Sequence, residues 1–265
     1  MLKNTIKNVA ILLTIISLPL QSIAWGALGH RIVGEIAETY LSKSARKAVK
    51  NILGNETLAM GSNWADFIKS DTSYNYISPW HYVNVKAGLS QAEVFSTLES
   101  DTSANAFTKV NFLVEQLKNR QLPAAQQAMY LKLLVHIVGD VHQPMHVGRF
   151  EDLGGNRVRV KWFNESYNLH QLWDEVLVNF QQLSYTEFAC AINHTTKEQR
   201  AQWQAEPIKM WYYNSYKIAN EIYADIKEPE QRLSYQYNYK YKRILEQQLL
   251  QGGVHLAGLL NQIYK

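Results

Sequence analysis

A single cysteine, Cys190, stands in the 265 residues. No intramolecular disulfide can form, and the disulfide-stapled secreted scaffolds are excluded. Net charge is also scarce: 27 Lys and Arg against 23 Asp and Glu leave +4, too little to mark a protein that coats polyanions with its surface. Any affinity for nucleic acid would have to come from a site. The apolar run from Val9 to Leu20 falls short of the ~20 residues that span a bilayer. No repeat and no linker interrupts the chain, so one domain is expected.

What is present at the start reads as an address. Lys3 and Lys7 flank the beginning of that apolar run, and the small residues Ser22 and Ala24 hold the minus-three and minus-one positions of a signal-peptidase window. Residues 1–24 are therefore predicted to be a cleaved secretory signal. The segment removes two lysines and no acid, which lowers the formal charge from +4 to +2. The mature chain, 25–265, is predicted to be a secreted or periplasmic single domain with room for a well-filled core. It is expected to be a monomer without stable membrane association. Export without disulfides suits a bacterium, where the sequons at Asn55, Asn164 and Asn193 carry no weight. Cleavage after Ala24 would leave Trp25 with a free α-amine beside its own carbonyl, five residues before His30. Amine nitrogen and carbonyl oxygen can both bind one cation.

Apolar residues recur at helical spacing in Ile32-Val33-Ile36-Ala37-Tyr40, in Phe107-Val110-Leu113-Val114-Leu117 and in Leu131-Leu134-Ile137-Val138-Val141, which predicts a mainly α, multi-helix fold. Boundary signals agree: Gly54 ends one helix, Ser90 three before Glu93 makes a capping box, and Pro123 and Pro144 bracket another helix. Connections read as short except for a loop from about Gly61 to Gly88. Alternation in Arg157-Val158-Arg159-Val160-Lys161-Trp162, followed by Asn164-Glu165-Ser166, predicts a small β-hairpin. The tyrosine run Tyr235 to Tyr241 reads as a core cap rather than a base-stacking platform.

Chemistry concentrates in the histidines. His136 and Asp140 lie four apart on one helix face, and the same spacing recurs in His170 and Asp174. One such pair is commonly a surface hydrogen bond. Two pairs, with His146 just past the end of the first helix, point to a metal centre, since imidazole nitrogen and carboxylate oxygen are zinc ligands. Asp66 in Asn63-Trp64-Ala65-Asp66 and His81 in Pro79-Trp80-His81-Tyr82 join the set on weaker grounds, each behind a tryptophan that would pin its loop. His142, on a different helix face, reads as structural, and His194 as a surface residue.

Six motifs occur together and in order: Trp-Gly-x-x-Gly-His (Trp25 to His30), Trp-Ala-Asp (Trp64 to Asp66), Trp-His-Tyr (Trp80 to Tyr82), His-x-x-Gly-Asp-x-His-Gln-Pro-x-His (His136 to His146), Gly-Gly-Asn (Gly154 to Asn156) and Leu-His-x-x-Trp-Asp (Leu169 to Asp174). Over essentially the whole mature chain this pattern resembles the zinc-dependent single-strand nucleases and 3'-nucleotidases of the nuclease S-one/P-one type, with zinc-dependent phospholipase C as a more distant relative. The resemblance implies the phospholipase C / nuclease fold and three zinc ions. One would be held by Asp66, His81, His136 and Asp140; a second by the amine and carbonyl of Trp25 with His30 and Asp140; a third, more open, by His146, His170 and Asp174. It further implies a zinc-bridged hydroxide as nucleophile and cleavage of single-stranded RNA and DNA to 5'-phosphates, with Asp66 and Asp140 at the catalytic centre. Lys69 stands where relatives carry a basic residue near the scissile phosphate; a solvated lysine is the competing reading. Tyr82 would stack on a base, Asn84 would meet its edge, and Asn156 would fix the Gly-Gly turn beside the substrate. His255 departs from the family, where arginine is common, and is expected to alter a buried contact only. Two alternatives remain open on sequence: a phospholipase C, and a zinc- or host-factor-binding protein without turnover.

Overall fold

The computed structural model describes residues 25–119 and 121–265; the expected signal segment, residues 1–24, lies outside them. The protein is mainly helical. In chain order the α-helices are α1 (Ala27–Thr39), α2 (Lys43–Leu53), α3 (Leu58–Gly61), α4 (Trp64–Phe67), α5 (Gln91–Ser100), α6 (Ala106–Lys118) and α7 (Ala124–Val141). They continue with α8 (Leu169–Gln171), α9 (Leu177–Asn179), α10 (Tyr185–Ile192), α11 (Lys197–Gln204), α12 (Ile208–Asp225) and α13 (Tyr235–Ile263). The boundary signals sit where expected. Gly54 caps α2 with φ +66°, Ser90 and Glu93 close a capping box on α5, Pro123 precedes α7 and Pro144 opens the short 3-10 turn after it.

The core gathers around α7, α1 and α13. From Tyr130 to Val141 every residue of α7 is buried except Lys132, the pattern of a helix enclosed on all sides. His136 and Asp140 therefore leave the buried C-terminal two-thirds of the helix. Helix α13 runs along α1 and returns past α7. Its first two turns carry the tyrosine run, which divides: Tyr237 and Tyr241 are buried against Trp173, with the Trp173 indole donating to the Tyr237 hydroxyl at 3.0 Å, whereas Tyr235 and Tyr239 face solvent.

Two expectations change. The stretch read as a long loop from Gly61 to Gly88 is mostly helical: α3 and α4 are followed by 3-10 helices at Ile68–Ser70 and Thr72–His81. Three-residue turns rich in Ser, Asn and Tyr carry no 3.6-residue apolar period, so the sequence pattern is silent there. The hairpin forms from β1 (Arg159–Trp162) and β2 (Glu165–Asn168), antiparallel with Trp162 opposite Glu165. A third strand, β3 (Gln231–Leu233), joins β1 in parallel, a long-range pairing that no local alternation announces. Strand β2 runs directly into α8, and Asn168 caps that helix by accepting from the Gln171 amide at 2.7 Å.

Candidate metal centre

Helix α7, the 3-10 turn Pro144–Val147 and the helix begun by α8 bring the sequence-predicted residues to one place. His81, His136 and Asp140 form one cluster, and His146, His170 and Asp174 a second. His30 approaches the first from α1: its Nε2 lies 3.4 Å from Asp140 Oδ1, its ring stacks on His136 at 3.8 Å, and it groups with Asp66 and His136 as well. That stack requires Gly139, where a Cβ would come within 2.7 Å of His30 Nδ1. Trp25 is fully buried one turn before His30, its ring against Gly29.

Second partners orient the rings. The Nδ1 atoms of His136, His146 and His170 face the carbonyl oxygens of Ser62, His81 and Gly154 at 2.7, 2.6 and 2.6 Å. A carbonyl only accepts, so Nδ1 carries the proton and each Nε2 turns its lone pair inward, the arrangement of a metal-binding histidine. His146 Nε2 and His170 Nε2 then lie 3.2 Å apart, a repulsion that a proton or a cation between them removes. Asp174 completes the triangle at 3.5 Å from His146 and 3.2 Å from His170. Ligands about 2.0–2.1 Å from a tetrahedral zinc stand about 3.3 Å from each other, so these spacings fit the ion. The first cluster fits equally: His81 to His136 3.0 Å, His81 to Asp140 3.0 Å, His136 to Asp140 3.3 Å. Buried atoms without a hydrogen-bond partner among the described residues point the same way, namely both nitrogens of His30, Nε2 of His81, Oδ1 of Asp140 and Oδ2 of Asp66.

Electrostatics hold the imidazoles ready. Burial pushes the pKa of His30 and of His81 well below the usual value, with His136 adding to both. Burial lowers His136 to about 4 against the opposing pull of Asp66. These rings are neutral near pH 7, the state that ligates. Asp140 is pushed well up by burial and by Asp66. At Asp174 burial is outweighed by His170 and His146, which hold the carboxyl at about 2, and Asp174 in turn raises His170 against burial.

The second cluster opens onto a cavity of about 400 Å³, into whose wall His81, His146 and His170 project. Lys69, Tyr82, Asn84 and Asn156 line the same cavity. Lys69 places its ammonium 2.6 Å from Asp66 Oδ1, so it is paired with a candidate ligand while facing the cavity. Tyr82 is 43% exposed, a ring face free to be covered. Asn156 donates from Nδ2 to the Leu153 carbonyl at 2.8 Å, tying the turn that holds Gly154 and Gly155. His142 donates from Nδ1 to the Val138 carbonyl and shares its other nitrogen with His255, each at 2.7 Å, away from both clusters; His194 is exposed.

Sequence reasoning missed Gln143. Its amide donates to Asp174 Oδ1 and its oxygen accepts from the Met145 amide at 2.5 Å, which joins the two halves of the second cluster. The residue stands inside the His136-to-His146 motif, but its burial and its contact with Asp174 show only in the fold. Asp174 itself lies in a π turn, Leu172–Val176, between α8 and α9. Such turns collect at functional sites because they re-aim one side chain.

Comparison with known proteins gives the family. The family model described as S1/P1 Nuclease matches residues 25–265. The chain belongs to the S1/P1 nuclease family. It is similar to Endonuclease 2 of Arabidopsis thaliana, 31% identical over 91% of this chain and 90% of that protein. Nuclease S1 of Aspergillus oryzae is 30% identical over 77% of this chain and 70% of its own length. Nuclease P1 of Penicillium citrinum is 27% identical over 57% of each. Membership makes this S1/P1 family protein a nuclease, a hydrolase of phosphodiester bonds, and the family is metal-dependent.

Proposed function

We propose that the protein is an exported, monomeric endonuclease with one domain over 25–265 that uses three zinc ions. It hydrolyses single-stranded RNA and DNA to 5'-phosphate products and removes phosphate from 3'-nucleotides. The observation that carries this reading is the second cluster, His146, His170 and Asp174, whose two histidines line a cavity that also presents Lys69, Tyr82 and Asn84.

Asp66, His81, His136 and Asp140 would hold one ion, the amine and carbonyl of Trp25 with His30 and Asp140 a second, and His146, His170 and Asp174 the third. Zinc bound there would acidify a water and draw negative charge from the phosphate and the departing 3'-oxygen. The chain supplies the rest. Buried walls around Asp140 keep bulk water from the charged groups, which strengthens each interaction between them. Asp140 turns its two oxygens to different histidines, Oδ1 toward His30 and Oδ2 toward His81 and His136, the posture of a bridging carboxylate. Lys69 offers a point charge to the phosphate, without the two-pronged grip of an arginine. Tyr82 stacks on a base and Asn84 meets its edge; stacking is worth roughly 1 to 3 kcal/mol per base and accepts every base. A duplex hides those faces, which favours single strands.

The test is zinc content per chain on protein processed to begin at Trp25, with 3'-AMP and single-stranded DNA assayed on the same sample. Three zinc ions with turnover of both substrates are expected. Hydrolysis of phosphatidylcholine with none of 3'-AMP would overturn the substrate assignment, and full zinc without any hydrolysis would overturn the enzymatic one.

A further inference from the structure

The aromatic rings that border the cavity do not stop at its wall. Tyr74 lines it and also lines a shallower groove of about 360 Å³ together with Trp64, Met129 and Lys132. From Tyr74 the rings continue outward. Tyr76 stacks beside it with centroids 6.2 Å apart, Tyr76 meets Trp80 edge-on at 5.6 Å, and Trp80 meets Phe112 at 6.4 Å. Packing accounts for Trp80, which is buried. It does not account for Tyr76, 52% exposed, or Phe112, 36% exposed.

A cation lies on the same strip. Lys109 precedes Phe112 by three residues on α6, so the two share a face, and its ammonium sits 4.8 Å from the Trp80 ring and 5.2 Å from the Phe112 ring. Lys118 and Lys132 each pair with a carboxylate, Glu115 and Glu56; Lys109 has no carboxylate partner among the described residues. Its charge is left for a ligand that brings its own anion.

We propose that Tyr74, Tyr76 and Phe112, with Lys109, form a track for the same single strand that enters the cavity. Tyr76 and Phe112 stack on bases beyond the scissile linkage, and Lys109 meets a phosphate between them. Alternating ring faces and cations are what a nonspecific single-strand binder needs, because every base has a π face and every linkage a charge. The track rests on the nucleic-acid reading above and deepens it: a polynucleotide gains an anchor that a mononucleotide cannot reach.

The experiment compares the zinc-loaded parent with Tyr76→Ala and Lys109→Gln. Affinity is read by fluorescence anisotropy on a labelled oligothymidylate of about 20 nucleotides with hydrolysis-resistant phosphorothioate linkages. Turnover is read on 3'-AMP and on the ordinary oligomer. Tyr76→Ala is expected to raise Kd and KM for the oligomer about tenfold, within the stacking range for one base, with the kinetics of 3'-AMP unchanged. Lys109→Gln is expected to flatten the slope of log Kd against log salt by about 0.7, the signature of one lost phosphate contact on a single strand; Tyr76→Ala should leave that slope alone. Equal shifts for mononucleotide and oligomer, or no shift for either, would overturn the track, as would an unchanged salt slope in Lys109→Gln. A parent that hydrolyses neither substrate would sink the function proposed above, while the anisotropy arm would still decide the track.

Discussion

Asp140 differs from the other carboxylates of the centre in what its oxygens face. Oδ1 lies 3.4 Å from His30 and 3.7 Å from His146, and Oδ2 lies 3.0 Å from His81. One group therefore faces His30 on one side and His81 on the other, as a shared ligand of the two proposed ions would, whereas Asp174 faces His146 and His170. Asp140→Asn is expected to lose two zinc ions together and to lower turnover by more than the roughly 10–100-fold that removing an outer partner costs. Asp174→Asn should lose one ion. Equal losses in metal analysis of the two variants would remove the bridging role. Trp25, the first residue of the proposed mature chain, gives a second prediction. Trp25 is fully buried, the Gly26 amide donates to the Asp174 carbonyl at 2.8 Å, and a Cβ at Gly26 would meet Glu175 Cγ at 2.5 Å. Trp25 and Gly26 are thus wedged between α1 and the helix that carries Asp174. Protein carrying an extra Met or a tag before Trp25 should bind one zinc fewer than protein cleaved after Ala24 and lose most of its turnover. Matching zinc counts and rates for the two preparations would show that the amine is no ligand.

At the scale of elements, the turn Phe150–Asn156 decides whether the open cluster forms. Gly154 sits at φ +64°, its carbonyl accepts from His170 Nδ1, and a Cβ there would lie 2.5 Å from the Met145 carbonyl oxygen. Gly154→Ala carries the left-handed penalty of roughly 1–2 kcal/mol and a backbone clash besides. The expected result is a lower denaturation midpoint and loss of the zinc at His146, His170 and Asp174, with the buried ions kept. A variant that retains every ion would show that the turn does not set that cluster. What could be read from the sequence follows the same division. Helices α1 and α6 announce themselves because each must bury a stripe and α7 because it carries apolar residues on every face, and His136, Asp140, His170 and Asp174 announce themselves because four-residue spacing is a property of helices. The 3-10 run Thr72–His81, the π turn Leu172–Val176 and the pairing of β3 with β1 did not. Short turns have no apolar period, a one-residue widening leaves composition untouched, and a strand pair as distant in sequence as Val160 and Gln231 is settled by packing. Gln143 escaped notice for a related reason: an amide shows its role only once Asp174 is folded against it.

For the molecule as a whole, the same burial that readies the centre for metal makes the metal-free protein sensitive to acid. Burial lowers the pKa of His30, His81, His136, His142, His146 and His255, to about 4 at His136 and about 3 at His142. An unfolded histidine titrates near 6.5, so below that value the unfolded chain binds more protons than the folded one. Stability therefore rises with pH across the window from about 3 to about 6.5. Asp174, held at about 2, acts in the same direction at the lower end, since its contribution is present above the ordinary aspartate value and lost as pH falls toward 2. His170, raised by Asp174 against burial, and Asp140, Glu38 and Glu175, pushed up by burial, act in the opposite direction, but the six lowered histidines dominate between about pH 4 and 6.5, where histidine titrates. Bound zinc adds to the trend because protons compete for the same lone pairs. The melting temperature of zinc-stripped protein is expected to hold steady above pH 7 and to fall by roughly 10 °C by pH 4, at roughly 2–4 °C per kcal/mol for a chain of this size. The zinc-loaded protein should begin higher and fall further, releasing its ions over the same window. A melting temperature that stays level or climbs between pH 7 and pH 4 would mean that the buried histidines are charged in the folded state, and the centre would then be built to hold protons rather than metal.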